Sequence, residues 1–350
     1  MNPAARATRR LPAEWEPQSG VQITWPHAGT DWGPRLDAVE PVFAAIGAAV
    51  TRREPLLVVC QDADHHRHVL AQLTRSGADP AQVRFGIAPA DDTWARDHGP
   101  IAVIEDGQPR LLDFAFNGWG RKFPSDRDNL LTRNLADQGC FGSTPVEPVD
   151  LVLEGGSIES DGIGAVLTTS HCLLTPTRNP GLSREAIERH LRAQLGAERI
   201  LWLEHGHLEG DDTDGHIDTL ARFCDPGTIA HADCERADDS QHAELALMAA
   251  ELGELRTAQG EPYALVPLPL PAAIHADGQR LPATYANFLV INEAVLVPIY
   301  GDPADTVALE RLGAAFADRT VAGIDCRELL RQGGSLHCLT MQFPAGVLPR

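Results

Sequence analysis

The chain has 350 residues, 43% hydrophobic and 22% charged, with a formal net charge of −20. That is the balance of a globular protein with ample chain for a large core. It argues against nucleic acid, whose phosphates need basic patches, and no run reaches the ~18 apolar residues of a membrane helix.

In chain order, "LLVVC" (56–60) predicts a strand, "HHRHVLAQLTRSG" (65–77) a helix and "VRFGIA" (83–88) a second strand. "RDHGPIAVI" (96–104) follows as a glycine-marked turn and a closing strand. A looser unit closes at "LEGGSIESDG" (153–162). "AVLTTSHCLLTP", the helix "SREAIERHLRAQLG" (183–196) and "RILWLE" then repeat the order and close on "GHIDTLARF" (215–223). The helix "SQHAELALMAAELGEL" precedes a fourth closing segment, 283–292, and the Pro-rich stretch 266–282 between them is the best loop candidate. "AVLVPIYG", "TVALERLGAAFA", "TVAGID" and "GGSLHCLTMQF" form the last unit, closing at 333–343.

Each unit reads strand, helix, strand, polar turn, strand. A spacing of roughly 60 residues suits a radial or stacked α/β architecture; a plain sheet with alternating elements fits the pattern equally well. Seven cysteines at irregular spacing, with no CxxC pair, argue against a disulfide framework and a thiolate zinc site. Most are expected to be small core residues. The N-terminal "MNPAARATRRLPAEWEPQSG" carries arginines but no apolar stretch behind them, so no secretory leader is expected and the expected location is cytoplasmic. "HHRH" (65–68) reads as a solvated helix face.

Reactive side chains gather on the closing segments: Asp97, Glu154, His216 with Asp218, and Cys338. Cysteine is a strong nucleophile as thiolate, and a nearby histidine can exchange protons with it and with a leaving group. Three carboxylates in one cleft would repel an anion and suit a flat cation with several N–H donors, such as a guanidinium. Each motif alone is weak; their shared placement is the signal. The acids of "DDTDG" break the calcium-loop pattern, and no phosphate-binding glycine motif occurs.

With these residues in view, the chain resembles the agmatine deiminases of the guanidine-modifying (pentein) superfamily, which includes bacterial peptidyl-arginine deiminases. The resemblance rests on "LPAEWEPQSGVQITWPH", "DDTWARDHGPIAV", "DFAFNGWG", "LEGGSIESDG", "RNPGLSREAIERHL", "GDDTDGHIDTLARF", "ATYANFLVIN" and "GGSLHCLTMQFP", in the family's order along nearly the whole chain. It implies one catalytic domain over 1–350, a five-bladed α/β propeller with pseudo-fivefold symmetry. It implies Cys338 as nucleophile, His216 as general acid/base and Glu154 as its partner. Asp97 and Asp218 would grip the guanidinium, and Asp212 and Trp94 would line the substrate site. The implied reaction is hydrolysis of agmatine to N-carbamoylputrescine and ammonia, with no metal or organic cofactor, in a homodimer. A peptidyl-arginine or free-arginine deiminase is the alternative, and a non-catalytic binding protein and a metal hydrolase are further competitors. Glu159 and Ser335 depart from the His and Asn many relatives carry there; neither is expected to touch a catalytic position.

Overall fold

The computed structural model describes residues 8–349; the first seven residues, part of the stretch read for a secretory leader, lie outside them. Five mixed sheets repeat one plan. In each, a closing strand pairs antiparallel with the next strand, which pairs parallel with a third after a crossover. Ile101–Glu105, Gln108–Ala115 and Val146–Val152 make one, with Arg9–Arg10 added at its edge. Ile158–Ser160, Ala165–Thr169 and Arg199–Leu203 make the next. Ala221–Asp225, Thr228–Asp233 and Ala264–Pro269 follow, then Leu289–Ile291, Ala294–Ile299 and Thr320–Asp325. The last joins the two ends of the chain: Thr340–Pro344 lies antiparallel to Gln18–Thr24, which continues to Leu56–Cys60 and Val83–Ile87. The strand segments expected from the sequence are present, but each closing strand belongs to the following sheet rather than ending its own unit. The reason is local: Asp106 and Gly107, at φ 49° and 77°, make the tight turn that folds Ile101–Glu105 back onto Gln108–Ala115.

The crossover helices follow from their patterns. Ser183 caps Arg184–Leu195 by accepting from the Ala186 N–H, Gly196 ends it at φ 70°, and Ile187, Leu191 and Leu195 form its buried stripe. That stripe shares a core with Val166 of Ala165–Thr169, a strand buried throughout whose first three residues are apolar in succession. The Pro-rich stretch corrects one expectation, since its first part is strand: Ala264–Pro269 is an edge strand, where a missing proline N–H is tolerated. "HHRH" lies in the helix Ala63–Arg75 and is only partly solvated; His65 Nε2 meets the Pro26 carbonyl and His68 Nε2 meets Glu40. All seven cysteines are free, and all but Cys140 are buried. Among the described residues no helix is long and apolar enough to cross a membrane.

Candidate active site

Four of the five closing segments begin with one short helical turn: Ala95–His98, Gly155–Ser157, Ile217–Thr219 and His337–Leu339. The first packs on the second and the fourth, and the second on the third. Asp97, Asp218 and Cys338 lie inside these turns, while Glu154 and His216 sit at the cap positions that start them. The five side chains read from separate motifs are thus brought together, and all are buried. Gly156 shows how closely. A methyl added there would lie 2.6 Å from His216 Nδ1, 2.7 Å from Asp97 Oδ1 and 3.3 Å from Asp218 Oδ1. Only glycine leaves that space open.

A cleft of about 330 Å³ reaches this cluster, lined by Trp94, Asp97, Trp119, Asp212 and Cys338, with Asp31 and Asp92 also on its wall. The two glycines of "GGSLHC" make room for it. A Cβ on Gly334 would strike the Trp94 ring at 2.3 Å, and one on Gly333 would meet the Asp212 carboxylate at 2.9 Å. His216 and Asp218 are fully buried next to cleft-lining groups, His216 against Asp97 and Asp218 against Cys338. Asp97 Oδ2 accepts from the Trp119 indole (3.0 Å) and Oδ1 from the Gly156 N–H (3.0 Å), with His216 Nδ1 3.5 Å from Oδ1. Asp218 Oδ2 lies 2.8 Å from His337 Nδ1 and 3.7 Å from Cys338 Sγ. Among the described residues, Asp218 Oδ1 and both His216 ring nitrogens have no hydrogen-bond partner. Buried polar atoms without a protein partner ask for an explanation, and a ligand bearing N–H donors would satisfy the Asp218 oxygen.

The electrostatics divide the roles. Burial, then the charges of Asp218 and Asp97, hold the Cys338 thiol well above its ordinary pKa. It is a neutral thiol unless a cation offsets those acids. Burial works against a charge on His216, but Asp97, the neighbouring Cys172 and Glu154 outweigh it and raise its pKa well above the ordinary value, which favours the protonated ring. Burial pushes the Asp97 carboxyl up to about 6 against the pull of His216. Burial and Asp211 push Asp212 up to about 6. Asp218 is the exception: burial raises it, yet the hydrogen bond and charge of His337 leave it below the ordinary carboxylate range.

Ligand atoms of Glu154, Cys172 and His216 lie within 4.8 Å of one another, a spacing a thiophilic cation could bridge. The donor set fits poorly. Arg178 Nε donates to both Glu154 oxygens (2.8 and 3.0 Å), and His216 would have to give up its proton to bind a metal.

The chain has relatives. The model of the Porphyromonas-type peptidyl-arginine deiminases matches residues 10–344. The chain belongs to that family. Within it, the chain is similar to the agmatine deiminase of Stutzerimonas stutzeri, 36% identical over 96% of this chain and 95% of that one. A Porphyromonas gingivalis crystal structure provisionally described as an arginine deiminase is 49% identical (TM-score 0.91, covering 97% and 100% of the two chains). A C. jejuni agmatine deiminase with substrate bound, a variant with serine in place of one cysteine, is 36% identical (TM-score 0.91, covering 99% and 100%).

Several residues of this family member's site escaped the sequence reading. The closing segment 283–292, read as carrying no reactive group, supplies Asn287. Its Oδ1 accepts from the His337 and Cys338 N–H groups, and its Nδ2 lies 3.2 Å from Cys338 Sγ. Arg178 is fully buried and joins Glu154 to Asp214 (2.7 Å). Lys122 Nζ donates to the Asp212 carbonyl (2.5 Å) and to Asp214 (2.8 Å). Glu159 reaches the site indirectly: it pairs with Arg222 (2.9 Å), which pairs with Glu14 (2.7 Å), which contacts His337. Ser335 Oγ lies 3.2 Å from the Tyr300 hydroxyl.

Proposed function

We propose that this protein is an agmatine deiminase, hydrolysing agmatine to N-carbamoylputrescine and ammonia in polyamine synthesis. The observation that carries it is the set of open, fully buried polar atoms around Gly156. Asp97 and the free oxygen of Asp218 converge there beside Cys338, which suits the N–H edges of a guanidinium.

In this reading the cation enters with its charge, and Asp97 and Asp218 clamp it. Its charge offsets the acids that suppress the Cys338 thiolate, and the thiol on the cleft wall gives its proton up to solvent as the cation binds. Sulfur attacks the guanidine carbon and forms a C–S bond. His216, already protonated and held beside Glu154, gives its proton to the departing nitrogen, and the C–N bond breaks to release ammonia. The carbon remains bound to Cys338 as an amidino-thioether. His216 then takes a proton from water, the hydroxyl adds to the carbon, and the C–S bond breaks to leave the ureido product as the hydroxyl proton passes to the departing Cys338 sulfur. No step needs a metal or an organic cofactor. Asp212 and Trp94 would receive the far ammonium.

The five sheets with one strand order, and turns that pack on one another, support a five-bladed propeller in a single domain over 1–350. The homodimer and cytoplasmic location belong to the same reading.

The similarity to the Porphyromonas gingivalis protein favours a second reading, action on free or peptide-bound arginine. The cleft wall weighs against it. Asp31, Asp92 and Asp212 line it, and its arginines are engaged, Arg280 by Asp239 (2.6 Å) and Arg331 by Glu328 (3.6 Å). Ammonia release from agmatine, arginine and a blocked arginine peptide decides between them. Agmatine turned over with the highest kcat/KM is the expected result; preference for either arginine substrate would overturn the proposal.

A further inference from the structure

The N-terminal motif "LPAEWEP" has no part in the chemistry above, yet it sends Glu14 into the site. Glu14 is buried, and its Oε2 lies 2.7 Å from His337 Nε2. The other ring nitrogen, Nδ1, is 2.8 Å from Asp218 Oδ2. One imidazole is therefore held between two carboxylates. With both acids ionised, each ring nitrogen must carry a proton. Arg222 Nη2 donates to Glu14 (2.7 Å), and Arg96 Nη2 lies 3.8 Å away, so Glu14 is surrounded by positive charge. The Val290 N–H fixes its other oxygen (2.6 Å). Signs alternate along the line: Arg222, Glu14, His337, Asp218. The fifth place is that of the substrate cation.

We propose that Glu14 and His337 are positioning residues for the guanidinium clamp: Glu14 holds His337 as a doubly protonated ring, and that ring fixes Asp218 Oδ2 so that Oδ1 faces the substrate. This rests on the guanidine-hydrolase reading of the site. Two features make the line more than packing. Asp218 Oδ1 is open while Oδ2 is engaged, so rotation of the carboxylate would misplace the free oxygen. His337 also precedes Cys338 directly, and Asn287 Oδ1 holds both main-chain N–H groups, so one anchored stretch of backbone carries both the ring and the thiol.

The test is a coupling experiment. Glu14→Gln keeps the shape and leaves Arg222 its second partner, Glu159. It should raise KM for agmatine about tenfold while kcat changes less than about threefold, the mark of weakened binding. His337→Asn keeps an amide N–H near the Nδ1 position, towards Asp218, and gives up the contact with Glu14. In that background Glu14→Gln should change kcat/KM by less than about twofold. A role for Glu14 confined to Arg222 and folding would instead persist at full size. Nitrogen-15 histidine spectra of the intact protein at neutral pH, with His337 assigned by difference from His337→Asn, form the second arm. Two protonated ring nitrogens in the wild type, and one in Glu14→Gln, support the proposal. A neutral His337 in the wild type overturns it, as does an additive effect in the double variant. The spectra need no substrate, so the positioning claim can be judged even if agmatine is not turned over.

Discussion

Gly156→Ala is the sharpest probe of convergence at the site. The substitution adds one methyl, and Gly156 does not occupy a left-handed backbone conformation, so the added strain is side-chain crowding rather than torsion. The methyl would sit 2.6 Å from His216 Nδ1 and 2.7 Å from Asp97 Oδ1, well inside van der Waals contact. Both neighbours must move by several tenths of an ångström or more. Overpacking of this kind costs about 1–3 kcal/mol, which for a domain this large lowers Tm by only several degrees, at ~2–4 °C per kcal/mol. The effect on rate should be much larger, because displacing reacting groups by ~1 Å costs about 100-fold. Paired measurements of ammonia release from agmatine and thermal melting by circular dichroism test this. The expected outcome is a folded protein whose kcat/KM falls at least about 100-fold. A folded variant keeping a third of wild-type kcat/KM would refute the claim that His216, Asp97 and Asp218 act at one point.

Other expectations follow from the same geometry. Cys338→Ser and Cys338→Ala should abolish turnover with the fold intact, checked by ammonia release and circular dichroism; appreciable activity in either would remove the sulfur from the chemistry. Arg178→Met leaves Glu154 buried without its partner, so urea unfolding should show a loss of about 3–5 kcal/mol; a loss below about 1 kcal/mol would mean the pair carries little stability. Burial lifts Asp97 and Asp212 to about 6, and a protonated acid cannot attract a cation. The kcat/KM for agmatine should therefore fall as pH drops through about 6, while kcat, which reports the complex, should hold to lower pH. A kcat/KM profile flat from pH 5 to 7 would contradict this.

The sequence made some of this site easy to read and hid the rest, for physical reasons. Asp97, Glu154, His216, Asp218 and Cys338 stood out because reactive side chains sat beside glycines on repeating segments. Asn287 did not, since an amide carries no charge and its role is to hold the main chain of Cys338. Glu14 and Arg178 were visible only as members of motifs; their partners lie far along the chain, and nothing local predicts a buried ion pair at that range. His337 stood next to Cys338 and was passed over in its favour. In the fold, strand and helix patterns announced the elements, but period alone does not say which neighbour a closing strand joins. The Asp106-Gly107 turn carried that information, and the pairing of Thr340–Pro344 with Gln18–Thr24 carries no comparable local mark.

The most direct measurement is intact-protein and peptide mass spectrometry of enzyme quenched with acid during turnover of agmatine. A covalent adduct on Cys338, equal to agmatine less ammonia and lost on completion of turnover, is the predicted result. Rapid quenching that catches active enzyme with Cys338 unmodified throughout, or with the adduct on another residue, would contradict the account.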